Sequence, residues 1–194
     1  MSSDRIIKIG MFGEGRVGKT SLLRKYLDKD FNPREPSNIA PSMKPIYFKR
    51  EQKVYEIQLY DTAGQETYRE LTKQYITGLN GIILVFDLTG METFGKVKDW
   101  FDSIKENTDV EKTVICLVGN KLDLKEKKVV NSEEAKKKGE SFGMTYMETS
   151  AFTGEKVDEL YNFVIDNCIK NGFYIEREDR VELNKPKNKS KRCC

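Results

Sequence analysis

Two stretches of this chain, Gly81–Leu88 (GIILVFDL) and Lys112–Gly119 (KTVICLVG), are nearly unbroken apolar runs. A strand that is apolar on both sides is buried on both faces, which requires a parallel sheet covered by helices front and back. Between the two runs Phe94, Val97, Trp100, Phe101 and Ile104 recur at helical spacing, as a crossover between parallel strands demands. The rest of the chain alternates in the same way. Arg5–Phe12 reads as a strand ending at Gly13, and Thr20–Leu27 reads as a helix. Residues 28–44 hold Pro33, Pro36 and Pro41 and no period, the mark of a long loop. Pro45–Arg50 and Lys53–Tyr60 read as a hairpin turning at Glu51-Gln52. Its second arm sets Val54, Glu56, Gln58 and Tyr60 against Tyr55, Ile57 and Leu59 on the other face. Asn131 and Glu134 fit a capping box before a Lys-rich helix that ends at Phe142. Met144–Thr149 is a short strand, and Val157, Leu160, Tyr161, Val164, Cys168 and Ile169 mark a final amphipathic helix.

This order predicts an α/β fold: an open, mostly parallel six-stranded sheet with one antiparallel strand and helices on both faces. From Gly172 onward charge replaces periodicity. The expected division is a domain over residues 1–171 and a disordered basic tail over residues 172–194.

Composition narrows the chemistry. The chain has no histidine, which excludes a Ser-His-Asp unit, His-ligated zinc and an imidazole switch. Net charge is +3, yet five basic residues (Lys185, Lys187, Lys189, Lys191 and Arg192) lie in the last ten positions. The body is close to neutral, so no nucleic-acid face is expected. A basic end suits an anionic surface. Cys116, Cys168, Cys193 and Cys194 match neither a disulfide framework nor a zinc site. The first two fall on apolar stripes and read as core packing in a reducing, cytoplasmic setting.

Gly13-Glu14-Gly15-Arg16-Val17-Gly18-Lys19-Thr20 fits G-x-x-x-x-G-K-[ST] between a strand and a helix. In that context backbone N–H groups and the helix N-terminus cradle phosphates. Lys19 can reach the β- and γ-phosphates, and the Thr20 hydroxyl can ligate Mg²⁺. Asp61-Thr62-Ala63-Gly64-Gln65 follows the alternating strand. Asp61 can hold Mg²⁺ through water, Gly64 can give an N–H to the γ-phosphate, and the Gln65 amide can orient an attacking water. Asn120-Lys121-Leu122-Asp123 follows the second apolar run. The Asp123 carboxylate can accept from two adjacent N–H donors of guanine, which adenine does not offer. Asn120 can brace that loop, and the Lys121 stem can cover the base plane. Each short motif alone is compatible with a surface turn; together, each after a strand, they specify GTP or GDP.

These residues together resemble the Ras superfamily of small GTPases over roughly residues 5–170, and within it most closely the Rab family. Glu56-Ile57-Gln58-Leu59-Tyr60, the second-switch residues Tyr68, Leu71 and Tyr75, and the terminal Cys193-Cys194 carry that likeness. The resemblance implies that Phe31 stacks on guanine and that Ser21 meets the α-phosphate. It implies that the Ser150-Ala151 backbone meets guanine O6, with Phe152 beside it in place of the usual Lys. Asn38 stands where the family carries Thr. Its N–H would meet the γ-phosphate, and an amide oxygen would replace the hydroxyl as a Mg²⁺ ligand. Arg16 stands where the family usually has Gly, which is harmless only if φ is negative there.

The implied activity is slow GTP hydrolysis, on the order of 10⁻⁴ s⁻¹ without a charge-stabilising arginine, stimulated by a GTPase-activating protein. The chain would be a monomer that switches vesicle traffic on the cytosolic face of an internal membrane. Its partners would be an exchange factor, a GDP dissociation inhibitor, an escort protein with prenyl transferase, and effectors. Prenylation of Cys193 and Cys194 would make it a lipoprotein, since two lipids anchor stably where one does not. Asn38 also leaves a second reading open, a guanine-nucleotide-binding scaffold with negligible hydrolysis.

Overall fold

The apolar runs and alternating segments become the strands and helices that they predict. The computed structural model describes residues 5–28, 42–50, 52–61 and 76–176. In chain order these form β1 (Arg5–Phe12), α1 (Lys19–Asp28), β2 (Ser42–Arg50), β3 (Lys53–Asp61), β4 (Gly81–Asp87), α2 (Met91–Gly95) and α3 (Val97–Asn107). They continue with β5 (Val114–Asn120), α4 (Ser132–Ser141), β6 (Thr145–Glu148), α5 (Val157–Lys170) and β7 (Ile175–Glu176). The sheet order is β2-β3-β1-β4-β5-β6. Every pairing from β3 to β6 is parallel, and β2 runs antiparallel to β3.

Alternation along the central strands divides the core in two. Ile83, Val85, Cys116 and Val118 face α1 and α5, packing with Leu22, Leu160, Val164 and Cys168. Ile82, Leu84, Phe86, Ile115 and Leu117 face the other way, onto Phe94, Trp100, Phe101 and Ala135 of α2, α3 and α4. Both faces are thus dry, which is why these strands carry so few polar residues. Cys116 and Cys168 are free thiols in that interior, and burial pushes each up to about 12. They are inert packing groups.

Two details depart from the sequence reading. The crossover helix is split at Lys96, next to the poor helix former Gly95, where α2 gives way to α3. Beyond Gly172, in the segment expected to belong to the tail, β7 pairs antiparallel with Arg5 and Ile6 of β1 and adds a seventh strand. Arg5 holds it there: its guanidinium lies 5.2 Å from the centre of the Tyr174 ring, and Nη2 reaches Glu176 Oε1 at 3.4 Å. A two-residue strand is too short to show a period, so charge alone was legible.

The order β3-β1-β4 reverses direction around β1, because the next strand in sequence lies on one side and β4 on the other. Open α/β sheets bind ligands at such a switch point, beyond the carboxyl ends of the strands. The loop after Phe12 occupies that place.

Candidate functional site

The loop from Gly13 to Gly18 is shaped by its two terminal glycines. Gly13 has φ +131°, and a Cβ there would run into the carbonyl oxygen of Val85 in β4. Gly18 has φ +100°, and a Cβ would collide with Asn120 Nδ2. Both positions therefore exclude every other residue. Lys19, only 3% exposed, folds back and donates from Nζ to Gly13 O (2.9 Å) and Glu14 O (2.8 Å). A buried ammonium thereby closes the loop at its entry. Arg16 lies at its exposed tip with φ +62°. This is the left-handed region, so Arg16 takes a glycine's conformation while carrying a Cβ, at a cost of about 1–2 kcal/mol.

Asn120 ties this loop to the base end. It is 1% exposed. Nδ2 donates to Val17 O at 2.9 Å, and Oδ1 accepts from Ala151 N at 3.1 Å and Thr149 Oγ1 at 3.4 Å. One amide side chain thus joins the phosphate loop, the end of β5 and the loop after β6. The Ala151 N–H, which the resemblance assigns to guanine O6, is bonded here to Asn120.

Asp123 is half-buried beside this junction. Ser150, fully buried, donates from Oγ to Asp123 Oδ1 at 2.5 Å and accepts from Thr153 N at 3.1 Å. Lys121, with φ +69°, is fixed by an ion pair from Nζ to Asp87 Oδ2 at 2.6 Å. Burial pushes the Asp87 carboxyl up, but hydrogen bonds from Lys121 and Thr89 outweigh it and hold the group below the usual carboxylate range. Sequence reading gave Asp87 no part in the site. The signal was its position as the last residue of β4, at the same sheet end as the other motifs. Phe152 is 61% exposed at the rim.

Two of the residues expected at a Mg²⁺ site, Thr20 and Asp61, have surroundings that fit such an ion. Thr20 Oγ1 is buried and makes no hydrogen bond among the described residues, a cost of about 1–3 kcal/mol unless a ligand completes it. Asp61, 5% exposed, ends β3 in register with Met11 of the neighbouring β1, two residues before the phosphate loop. One hydroxyl and one carboxylate suit Mg²⁺, which keeps several waters and phosphate oxygens and needs no protein cage. No cluster of three acidic, Cys or His ligands occurs among the described residues. Phe31, Asn38, Gly64, Gln65, Tyr68, Leu71, Tyr75, Cys193 and Cys194 lie outside the described residues. Ser21 lies in the first turn of α1, half-buried.

The sequence that builds this site has relatives among known proteins. The sequence model of the Ras family matches residues 8–170. Rab-27B of Rattus norvegicus is 34% identical over 182 residues, covering 86% of this chain and 81% of that protein. Rab-1D of Dictyostelium discoideum is 36% identical over 191 residues, covering 97% and 93%. Human Rab-17 is 31% identical over 201 residues, covering 100% and 92%. The chain belongs to the Ras family of small GTPases. Within that family its likeness is to the Rab proteins.

Proposed function

We propose that this chain is a Rab-type switch that binds GTP and GDP with Mg²⁺, hydrolyses GTP slowly and acts in vesicle traffic from a membrane surface. The observation that carries this reading is the Asn120 junction, which sets the phosphate loop and the candidate guanine reader Asp123 in one rigid frame. A guanine nucleotide would lie along it, phosphates at the N-terminus of α1 and base against Asp123 and Lys121. Lys19 would neutralise the phosphates, and Thr20 with Asp61 would hold the metal. Mg²⁺ would supply charge compensation on the phosphate oxygens. Gln65 is assigned the orientation of water, and Phe31, Gly64 and Asn38 the remaining nucleotide contacts.

Single-turnover hydrolysis of GTP, with protein in excess, is the test. The expected result is a Mg²⁺-dependent rate on the order of 10⁻⁴ s⁻¹. Tight guanine binding with no Mg²⁺-dependent turnover would transfer the assignment to the scaffold reading that Asn38 motivates.

The proposed anchor is prenylation of Cys193 and Cys194 behind the five basic residues, each worth about 1 kcal/mol near an anionic leaflet. No helix among the described residues is long and apolar enough to cross a membrane. The proposed partners are an exchange factor, an activating protein, a GDP dissociation inhibitor, escort protein with prenyl transferase, and effectors. Removing Cys193 and Cys194 should move the protein from the membrane pellet to the supernatant of prenylation-competent cells. Unchanged fractionation would exclude a lipid anchor at these residues.

A further inference from the structure

A carboxylate inside a phosphate-binding loop is a liability. Glu14 follows Gly13 in that loop, and its charge has the same sign as the nucleotide's. Like charges in a partly desolvated site repel far more strongly than in water. The structure holds this carboxylate in a definite place. Trp100 of α3 donates from Nε1 to Glu14 Oε1 at 2.9 Å. Trp100 is 6% exposed, and its ring lies 6.4 Å from that of Phe12, the last residue before the loop. It is anchored in the core cluster with Phe94, Val97 and Phe101, so the donor is rigid. The bond draws the Glu14 side chain toward α3. The carbonyl of the same residue takes one of the two Lys19 Nζ bonds to the loop entry (2.8 Å).

We infer that Trp100 is a positioning residue for nucleotide retention: its indole N–H tethers the Glu14 carboxylate to α3, away from the phosphates, and steadies the residue that helps hold Lys19. The inference rests on reading residues 13–20 as the phosphate site. A tryptophan on a buried helical stripe is otherwise only core packing; the side-chain bond to residue 14 adds the second role.

The chain has a single tryptophan, so an analogue incorporated in place of tryptophan reports on this residue alone. Incorporating benzothienylalanine replaces the indole N–H with sulfur and keeps the bicyclic shape. Trp100→Phe is the genetic counterpart. The readout is the release rate of fluorescently labelled GDP at low and high salt, alongside thermal unfolding. The expected result is release about five- to tenfold faster in either form, the effect shrinking at high salt because screening weakens the repulsion. Adding Glu14→Gln to Trp100→Phe should bring release back to within about twofold of wild type, since it removes the charge. Release within twofold of wild type in the sulfur analogue would overturn the inference. So would fast release that Glu14→Gln does not rescue, which would assign Trp100 to packing alone. Wild-type protein that retains no labelled GDP would overturn the phosphate-site reading itself, and this inference with it.

Discussion

Asp123→Asn is expected to cost at least a hundredfold in GTP affinity and to raise the affinity for XTP. Ser150 dictates the direction. Its hydroxyl accepts from Thr153 N, so its own proton goes to Asp123 Oδ1. In the variant that proton selects the amide oxygen and turns the new NH₂ toward the base. Guanine presents N–H donors there, and two donors face each other. Xanthine carries a 2-oxo group that accepts from the NH₂. Sites built to hydrogen-bond a group reject its mismatch strongly because a buried partner is left unpaired. Competition of GTP and XTP for the loaded protein measures it. An unchanged preference for GTP would remove Asp123 from the base site.

Asn120→Ala should have the second largest effect. The alanine leaves Val17 O and Ala151 N without their buried partner. Each loss is worth about 1–3 kcal/mol, so unfolding free energy should fall by about 2–6 kcal/mol. Nucleotide release should quicken at least tenfold, because the two ends of the site lose their common brace. Asn120→Asp should do no better, since a carboxylate oxygen would then face Val17 O. Urea unfolding and release kinetics test both. A stability change below about 0.5 kcal/mol would show that the junction bears no load.

The physical reason for what was legible is range. The two apolar runs announced buried parallel strands because burial on both faces leaves a composition signature in consecutive residues. The glycine loop after β1 was legible for the same reason: its glycines and lysine lie within eight positions. What stayed hidden was long in sequence. Asn120 meets Val17 and Trp100 meets Glu14 across 103 and 86 residues respectively, and the Lys121–Asp87 pair crosses strands. No period encodes such contacts. The left-handed backbone at Arg16 was also hidden, since a residue type states a preference and the surrounding loop imposes the angle. Arg16 sits at the turn between a buried lysine and a glycine-only entry, and that geometry overrides its propensity.

The small β7 strand has a consequence for how such a chain would hang from a bilayer. It leaves the sheet beside Arg5, at the opposite end of β1 from the phosphate loop. Eight residues of strand separate the two ends, a distance of about 23 Å at roughly 3.3 Å per residue. If the chain is held by its final cysteines, the pull arrives at the end of the body opposite the phosphate loop, like a buoy whose mooring ring is on its underside. Residues 177–194 could extend that mooring by at most about 60 Å. The attachment point and the nucleotide site would lie at opposite ends of the sheet. Loading and unloading of nucleotide would then be mechanically independent of how far the leash is drawn.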